Sequence, residues 1–145
     1  PLIEGAEYLF TNEYEAALIE QKTSWTAADL AAIVNVRITT LGPDGARIER
    51  RGCDPVLVGV PEEESKADPT GVGDAFRAGF LAGQSWGLSD ERSAQVGSLV
   101  ATYVIETIGT QEYQLAQQHF LQRLATAYGD DAAAEINQHV SCPRP

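Results

Sequence analysis

The stretch Asp68-Pro69-Thr70-Gly71-Val72-Gly73-Asp74, running directly into Ala75-Phe76-Arg77-Ala78-Gly79-Phe80, constrains this chain most, because it demands a tight glycine turn that opens onto a helix. Gly71 and Gly73 can take backbone angles closed to other residues and let a ligand approach the main chain. The amides they free, backed by the partial positive end of a helix, make a concavity suited to an anion. Asp74 stands at the junction, where its carboxylate can accept a proton from a hydroxyl attacking the bound anion, which is the outline of a phosphoryl-transfer site. The simpler alternative reads the same residues as a glycine-rich loop with Asp74 as a helix cap.

The patterning differs on the two sides of this turn. Before it, Leu2-Ile3 and Tyr8-Leu9-Phe10 read as short extended pieces, and Asn12 with Glu15 three residues on reads as a capping box opening a helix. Thr26 and Asp29 repeat that signal for a helix through about Ile33. Val34 to Thr40 alternates with β-branched residues, Leu41 to Gly45 turns, Ala46 to Arg50 returns, and Pro55 to Val60 gives another strand. Pro61 to Lys66 reads as a solvated loop.

After Asp74 the chain becomes mainly helical. Ala75, Ala78, Gly79 and Ala82 offer a small-residue face for close packing, while Phe76, Phe80 and Leu81 bring bulk to the core. Trp86-Gly87-Leu88 stops that helix, Ser89 caps another through about Thr107, and Gln111 to Tyr128 carries Leu115, Phe120, Leu121 and Leu124 at helical spacing. A last helix over Asp131 to His139 precedes the Cys142-Pro143-Arg144-Pro145 tail. Strands first and crossover helices later predict a layered α/β fold with the site at the strand-to-helix end.

At 145 residues and 43% apolar content, the chain is one domain's worth and can bury a real core. Its net charge of -11 and pI near 4.4 argue against nucleic acid or an anionic membrane as partner, since both reward basic patches. An acidic protein that handles phosphate must supply positive charge locally, through backbone amides and a metal ion. Cys53 and Cys142 form no metal-binding spacing and read as two free thiols. His119 and His139 read as surface positions, and Trp25, Trp86 and Tyr103 as packing residues. No apolar run approaches a membrane span, and no signal peptide is visible.

DPTGVGDAFRAGF resembles the C-terminal signature of the PfkB, or ribokinase-like, small-molecule kinases, usually written D-T-x-G-A-G-D before a small-aromatic helix. Two further landmarks of that family occur upstream in the right order. Thr11-Asn12-Glu13-Tyr14-Glu15 matches N-x-x-E, and Thr39-Thr40-Leu41-Gly42-Pro43-Asp44-Gly45 matches the T-L-G-x-x-G nucleotide loop. Pro69 and Val72 depart from the general pattern, and together with Gly109-Thr110-Gln111-Glu112-Tyr113 they are similar to the bacterial adenosine kinases. The resemblance covers nearly the whole chain and roughly the C-terminal half of such an enzyme, so that residues 1–145 form the C-terminal part of a single kinase domain.

The resemblance implies a ribokinase-like α/β/α domain whose central sheet is mostly parallel and flanked by helices. It assigns Asp74 as the base that deprotonates the acceptor, and the amides of Gly71, Val72 and Gly73 as the anion hole. Asn12 and Glu15 act on the phosphate and Mg2+ side, where the capping box remains the competing reading. Thr40, Gly42 and Gly45 lie along ATP, with a plain β-turn as the alternative. Gly109 lies on the same side, and Ser98 falls where many relatives carry Asn near the adenine. Asp68, Thr70 and the segment at Gly109 match the place of a monovalent cation. Arg77 reads as a surface or interface residue before a phosphate contact.

The resemblance implies a small hydroxyl compound as acceptor, adenosine ahead of a sugar, and a cytoplasmic enzyme, and it leaves a homodimer open. Acceptor recognition in this family sits mostly in the N-terminal half, with its Gly-Gly motif and lid. A nucleotide-binding piece without catalysis of its own is therefore the second reading, and a structural protein on the same fold the third.

Overall fold

The computed structural model describes residues 3–140, which form two compact units dividing between Val58 and Gly59. In the first unit, strand β1 (Tyr8–Asn12) is followed by helices α1 (Glu13–Thr23) and α2 (Ala27–Ile33), then by strands β2 (Val36–Thr40), β3 (Ala46–Arg50) and β4 (Val56–Val58). The sheet order is β1-β2-β3-β4.

The layered α/β class holds, but this sheet is mixed rather than mostly parallel: β1 and β2 run parallel, whereas β2 with β3 and β3 with β4 are antiparallel. Connection length decides this. Only the β1 to β2 link, carrying two helices, is long enough for a parallel crossover, while the short links that follow allow hairpins alone. Val36, Ile38 and Ile48 are buried on the sheet with Leu30 of α2, all at 1% exposure or less. Each such side chain contributes about 1.5–3 kcal/mol on burial.

The second unit holds helices α3 (Val72–Ser85), α4 (Asp90–Ile105), α5 (Gln117–Tyr128) and α6 (Asp130–Val140). α3 and α4 approach closely because glycines face each other. A Cβ on Gly79 would lie 2.7 Å from Gly97 Cα, and one on Gly83 would lie 2.7 Å from Ser93 Cα. These contacts leave one rotation and register for α3, and so fix the direction in which its first turn points. Leu99, Leu124 and Ile136 are fully buried in a core that also holds Val96, Tyr103 and Phe120.

Several expectations need correction. Ile3 lies in a turn, and Leu2 and the tail from Cys142 lie outside the described residues. The strand expected over Pro55 to Val60 is limited to Val56–Val58. Residues 111 to 116 are not helical, since α5 begins only at Gln117 with no side-chain cap, and Leu115 is left exposed. Leu81 is 42% exposed, so the bulk that α3 gives the core comes from Phe76 and Phe80. Cys53 is a free, exposed thiol.

Candidate active site

At the first unit's site, the pairing of β1 with β2 places Asn12 beside Thr40, the last residues of two adjacent parallel strands. The carboxyl ends of such strands are where open α/β sheets take ligands. The local alternative for Asn12 and Glu15 is realised. The Glu15 N–H donates to Asn12 Oδ1 at 2.7 Å and the Asn12 N–H donates to Glu15 Oε2 at 2.9 Å, a complete capping box. Thr40 Oγ1 approaches the Thr11 carbonyl at 3.5 Å.

The loop beyond Thr40 is a single 3-10 turn over Gly42–Asp44. Gly42 and Gly45 both have positive φ, 59° and 94°, and the N–H groups of Leu41, Asp44 and Gly45 are used within the turn. Among the described residues, no group of three or more His, Cys, Asp or Glu side chains could hold a metal ion.

The second unit holds the glycine-rich turn. Gly71 is the residue before α3, with φ 83° and ψ -3°, a left-handed conformation that favours glycine. A Cβ there would also lie 2.7 Å from Thr110 Cγ2, so the segment after α4 closes directly over this position. Gly73 differs from the expectation. It lies inside the helix without positive φ, and a Cβ on it would meet nothing within 4 Å. Its value is open space above the main chain rather than an unusual backbone.

No side chain caps α3. By contrast α1, α2 and α4 receive caps from Asn12, Thr26 and Ser89. The Val72 N–H reaches the Pro69 carbonyl at 3.4 Å, so the amides of Gly73 and Asp74, which no side chain caps, are the ones left for an outside acceptor.

Asp74 is the third residue of α3, not its cap, which removes the capping reading. Its side chain is 81% exposed, and Arg77 NH1 donates to its Oδ1 at 3.0 Å. Arg77 is thus occupied with the carboxylate, leaving Oδ2 outside that pair.

Asp68 takes the Thr70 N–H at 2.9 Å, and hydrogen bonds from Thr70 and from the Gly109 amide hold its carboxyl below the ordinary value of 3.8. Asp68, Thr70 and Gly109 are therefore brought together. Ser98 is placed differently, in the middle of α4 at 4% exposure. Burial pushes the neighbouring Tyr128 phenol up to about 12, against the opposing pull of a hydrogen bond with Ser98. The Tyr128 hydroxyl also donates to the Gly59 carbonyl at 2.7 Å.

Sequence reasoning missed the ion pair that joins α5 to the end of α4. Arg123 of α5 is 9% exposed and makes a forked ion pair with Glu106. The signal was present, since Arg123 shares the helical face of Phe120 and Leu124. The two histidines, expected at the surface, are half-buried with partners. His119 Nδ1 lies 2.8 Å from the Tyr103 hydroxyl, and His139 stacks on Trp86.

The comparisons with known proteins agree with one another. The family model for pfkB family carbohydrate kinase matches residues 1–117. Nucleoside kinase of Methanocaldococcus jannaschii is 29% identical over 110 residues, 76% of this chain and 36% of that protein. Its crystal structure, described as an archaeal member of the ribokinase family, matches with a TM-score of 0.81 over 86% of this chain and 42% of that one, at 27% identity. Burkholderia thailandensis nucleoside kinase in complex with inosine matches with a TM-score of 0.83 at 35% identity, covering 88% of this chain and 42% of that chain. Adenosine kinase from Sinorhizobium meliloti matches with a TM-score of 0.64 at 34% identity, over 83% of this chain and 35% of that one. The chain thus spans less than half the length of each of these proteins.

Proposed function

Since the chain belongs to the pfkB family of carbohydrate kinases and has a ribokinase-like α/β fold, we propose that it supplies the nucleotide side and the catalytic base of an ATP-dependent nucleoside kinase. Adenosine is the acceptor we assign, converted to AMP with release of ADP. The observation that carries this reading is the start of α3, where no side chain caps the helix and Asp74 stands exposed at the third position. The nucleoside kinases among the matches favour a nucleoside over a free sugar.

In the reaction, Oδ2 of Asp74 accepts the proton of the acceptor hydroxyl while that oxygen attacks the γ-phosphorus and the bond to the ADP oxygen breaks. Arg77 holds Oδ1 and so fixes the carboxylate rotamer. The amides of Gly71, Val72 and Gly73 donate to the transferring phosphoryl oxygens, the Val72 N–H giving up its long 3.4 Å approach to the Pro69 carbonyl. Thr40, Gly42, Gly45 and Gly109 are the residues we assign to the nucleotide. Ser98, buried in α4, acts on the adenine side only through neighbouring residues.

Asn12 and Glu15 fit a magnesium ion held mainly through its own waters, because the capping box uses one carboxylate oxygen of Glu15 and leaves Oε1 outside it. When bound, that ion neutralises charge on the phosphates. Asp68, Thr70 and Gly109 are the groups that would hold a monovalent cation. We further propose that the complete enzyme is cytoplasmic, joins this chain to an acceptor-binding half in one kinase domain, and serves purine salvage. This chain alone is expected to show no turnover.

A coupled ADP-release assay on the complete enzyme, over nucleosides and free sugars, tests the reading. Adenosine is expected to turn over faster than ribose or fructose. Equal or better turnover of a free sugar would remove the nucleoside assignment, and no ADP release with any hydroxyl acceptor would remove the kinase.

A further inference from the structure

Arg123 sits where an apolar residue is expected. α5 turns Phe120 and Leu124 into the core, and the three-residue spacing from Phe120 puts Arg123 on the same side of the helix. A guanidinium at 9% exposure loses hydration that protein acceptors must replace. Its Nη1 donates to Glu106 Oε2 at 2.8 Å, and its Nη2 donates to Glu106 Oε1 at 2.7 Å and to the Glu62 carbonyl at 2.9 Å. The guanidinium carbon also lies 4.9 Å from the centre of the Tyr103 ring.

Glu106 directly follows α4, at the negative end of the helix, where the helix dipole disfavours a carboxylate. Burial acts to raise its pKa. Hydrogen bonds from Arg123 and the Glu64 amide, together with the Arg123 charge, outweigh this and hold it below the ordinary value of 4.5.

The pair also organises the chain that leads into the glycine-rich turn. The Glu64 N–H donates to Glu106 Oε1 at 2.7 Å, and the Ser65 hydroxyl approaches the Glu106 carbonyl at 3.5 Å. The N–H groups of Ala67 and Asp68 share the Ile105 carbonyl at 2.8 and 3.2 Å. Residues 62 to 68 are thus laced along the end of α4 immediately before Pro69-Thr70-Gly71. His119 adds a tie from Nε2 to Glu64 Oε1 at 3.3 Å.

A buried ion pair is a poor stabiliser beside an apolar pair of the same volume. What the forked pair supplies, and an apolar pair cannot, is a set of fixed acceptors and donors for the strap. We propose that Arg123 is a positioning residue for phosphoryl transfer, acting through Glu106 to hold the strap of residues 62 to 68 and with it the Gly71 to Asp74 turn. This rests on the reading of Asp74 and the α3 amides given above.

The test compares Arg123→Met, Arg123→Lys and the double variant Glu106→Leu with Arg123→Met in the complete enzyme. Turnover, KM for ATP, thermal midpoint and hydrogen exchange at the amides of Glu64, Ala67 and Asp68 are measured together. Arg123→Met is expected to lower kcat about 100-fold, the loss that accompanies a displacement of about 1 Å, and to lower the midpoint by leaving Glu106 unpaired.

The double variant is expected to recover the midpoint, because an apolar pair replaces the ionic one. Its kcat stays down about 100-fold, with KM for ATP changed little and faster exchange at Glu64. Arg123→Lys folds but recovers turnover only in part, since an ammonium lacks the planar fork. A double variant that regains both midpoint and kcat would overturn the proposal and leave the pair merely structural. If the unaltered enzyme transfers no phosphoryl group, the kinase reading fails separately. Exchange at Glu64 in the double variant then decides the strap, and an unchanged rate overturns it.

Discussion

The starts of α2 and α3 carry the same residue type at the same helical position, yet they end in opposite states. Asp29 is the third residue of α2 and reaches back to the Thr26 N–H at 2.7 Å, while Thr26 Oγ1 accepts the Asp29 N–H at 3.2 Å. Asp74 is the third residue of α3 and makes no such return, pairing forward with Arg77 instead. The length of the side chain is not the cause, since both are aspartates. The residue ahead of each helix is. Thr26 is extended, with φ -80° and ψ 167°, and brings a hydroxyl, whereas Gly71 is left-handed and brings nothing. One glycine therefore converts a sealed helix end into one that no side chain caps and whose carboxylate faces outward.

The largest expected effect falls on the carboxylates. Asp74→Asn in the complete enzyme should lower turnover roughly 10²- to 10⁴-fold, because an amide cannot take the hydroxyl proton, with little change in thermal midpoint. Asp29→Asn should leave turnover intact. A mutant Asp74→Asn that kept more than about a tenth of wild-type turnover, against that expected loss, would show the two aspartates to be equivalent.

The glycines come next. Gly71→Val forces a β-branched residue to φ 83° and drives its Cβ against Thr110, so fold and activity should both suffer. Gly73→Ala has room and ordinary helical geometry, so its midpoint should hold while nucleotide-dependent turnover drops, by up to the roughly 10²- to 10³-fold seen when one oxyanion donor is lost. Full activity in Gly73→Ala would mean that no ligand uses the space above it.

Smaller again is the sealed end itself. Thr26→Ala should cost about 1 kcal/mol of stability, read as a lower denaturation midpoint with unchanged catalytic constants.

The smallest effect is on acid titration. Hydrogen bonds from the Thr26 backbone and hydroxyl hold Asp29 below its ordinary value of 3.8. A carboxylate depressed by folding adds stability above its unfolded value, and that stability is lost as the pH falls through the lower folded value. Carbon-detected titration of Asp29 should therefore show its midpoint below 3.8, and a midpoint at or above it would mean the box does not persist in solution.

Much of this was legible in the sequence, and the reasons are local. Asn12 with Glu15, Thr26 with Asp29, and Ser89 announced their helix starts because capping chemistry lies within four residues. The Gly71 turn was legible for the same reason. The late start of α5 was not, because Leu115 fits the helical spacing and the closure of Thr110 over Gly71 is a contact between distant segments. The mixed sheet was hidden by a family expectation that connection lengths overrule. Arg123 and Glu106, 17 positions apart, left only one trace, a charge on an apolar face.

The central claim is that the amides at the start of α3 are the anion-binding element. Amide proton shifts of Gly71, Val72 and Gly73 in the complete enzyme, titrated with a non-hydrolysable ATP analogue and magnesium, test it directly. Those three should move downfield as they donate to phosphoryl oxygens, while the amides of Thr26 and Asp29, already bonded within their box, stay in place. If the loop from Thr40 to Gly45 responds, showing that nucleotide is bound, and Gly71 to Gly73 do not, the claim is contradicted.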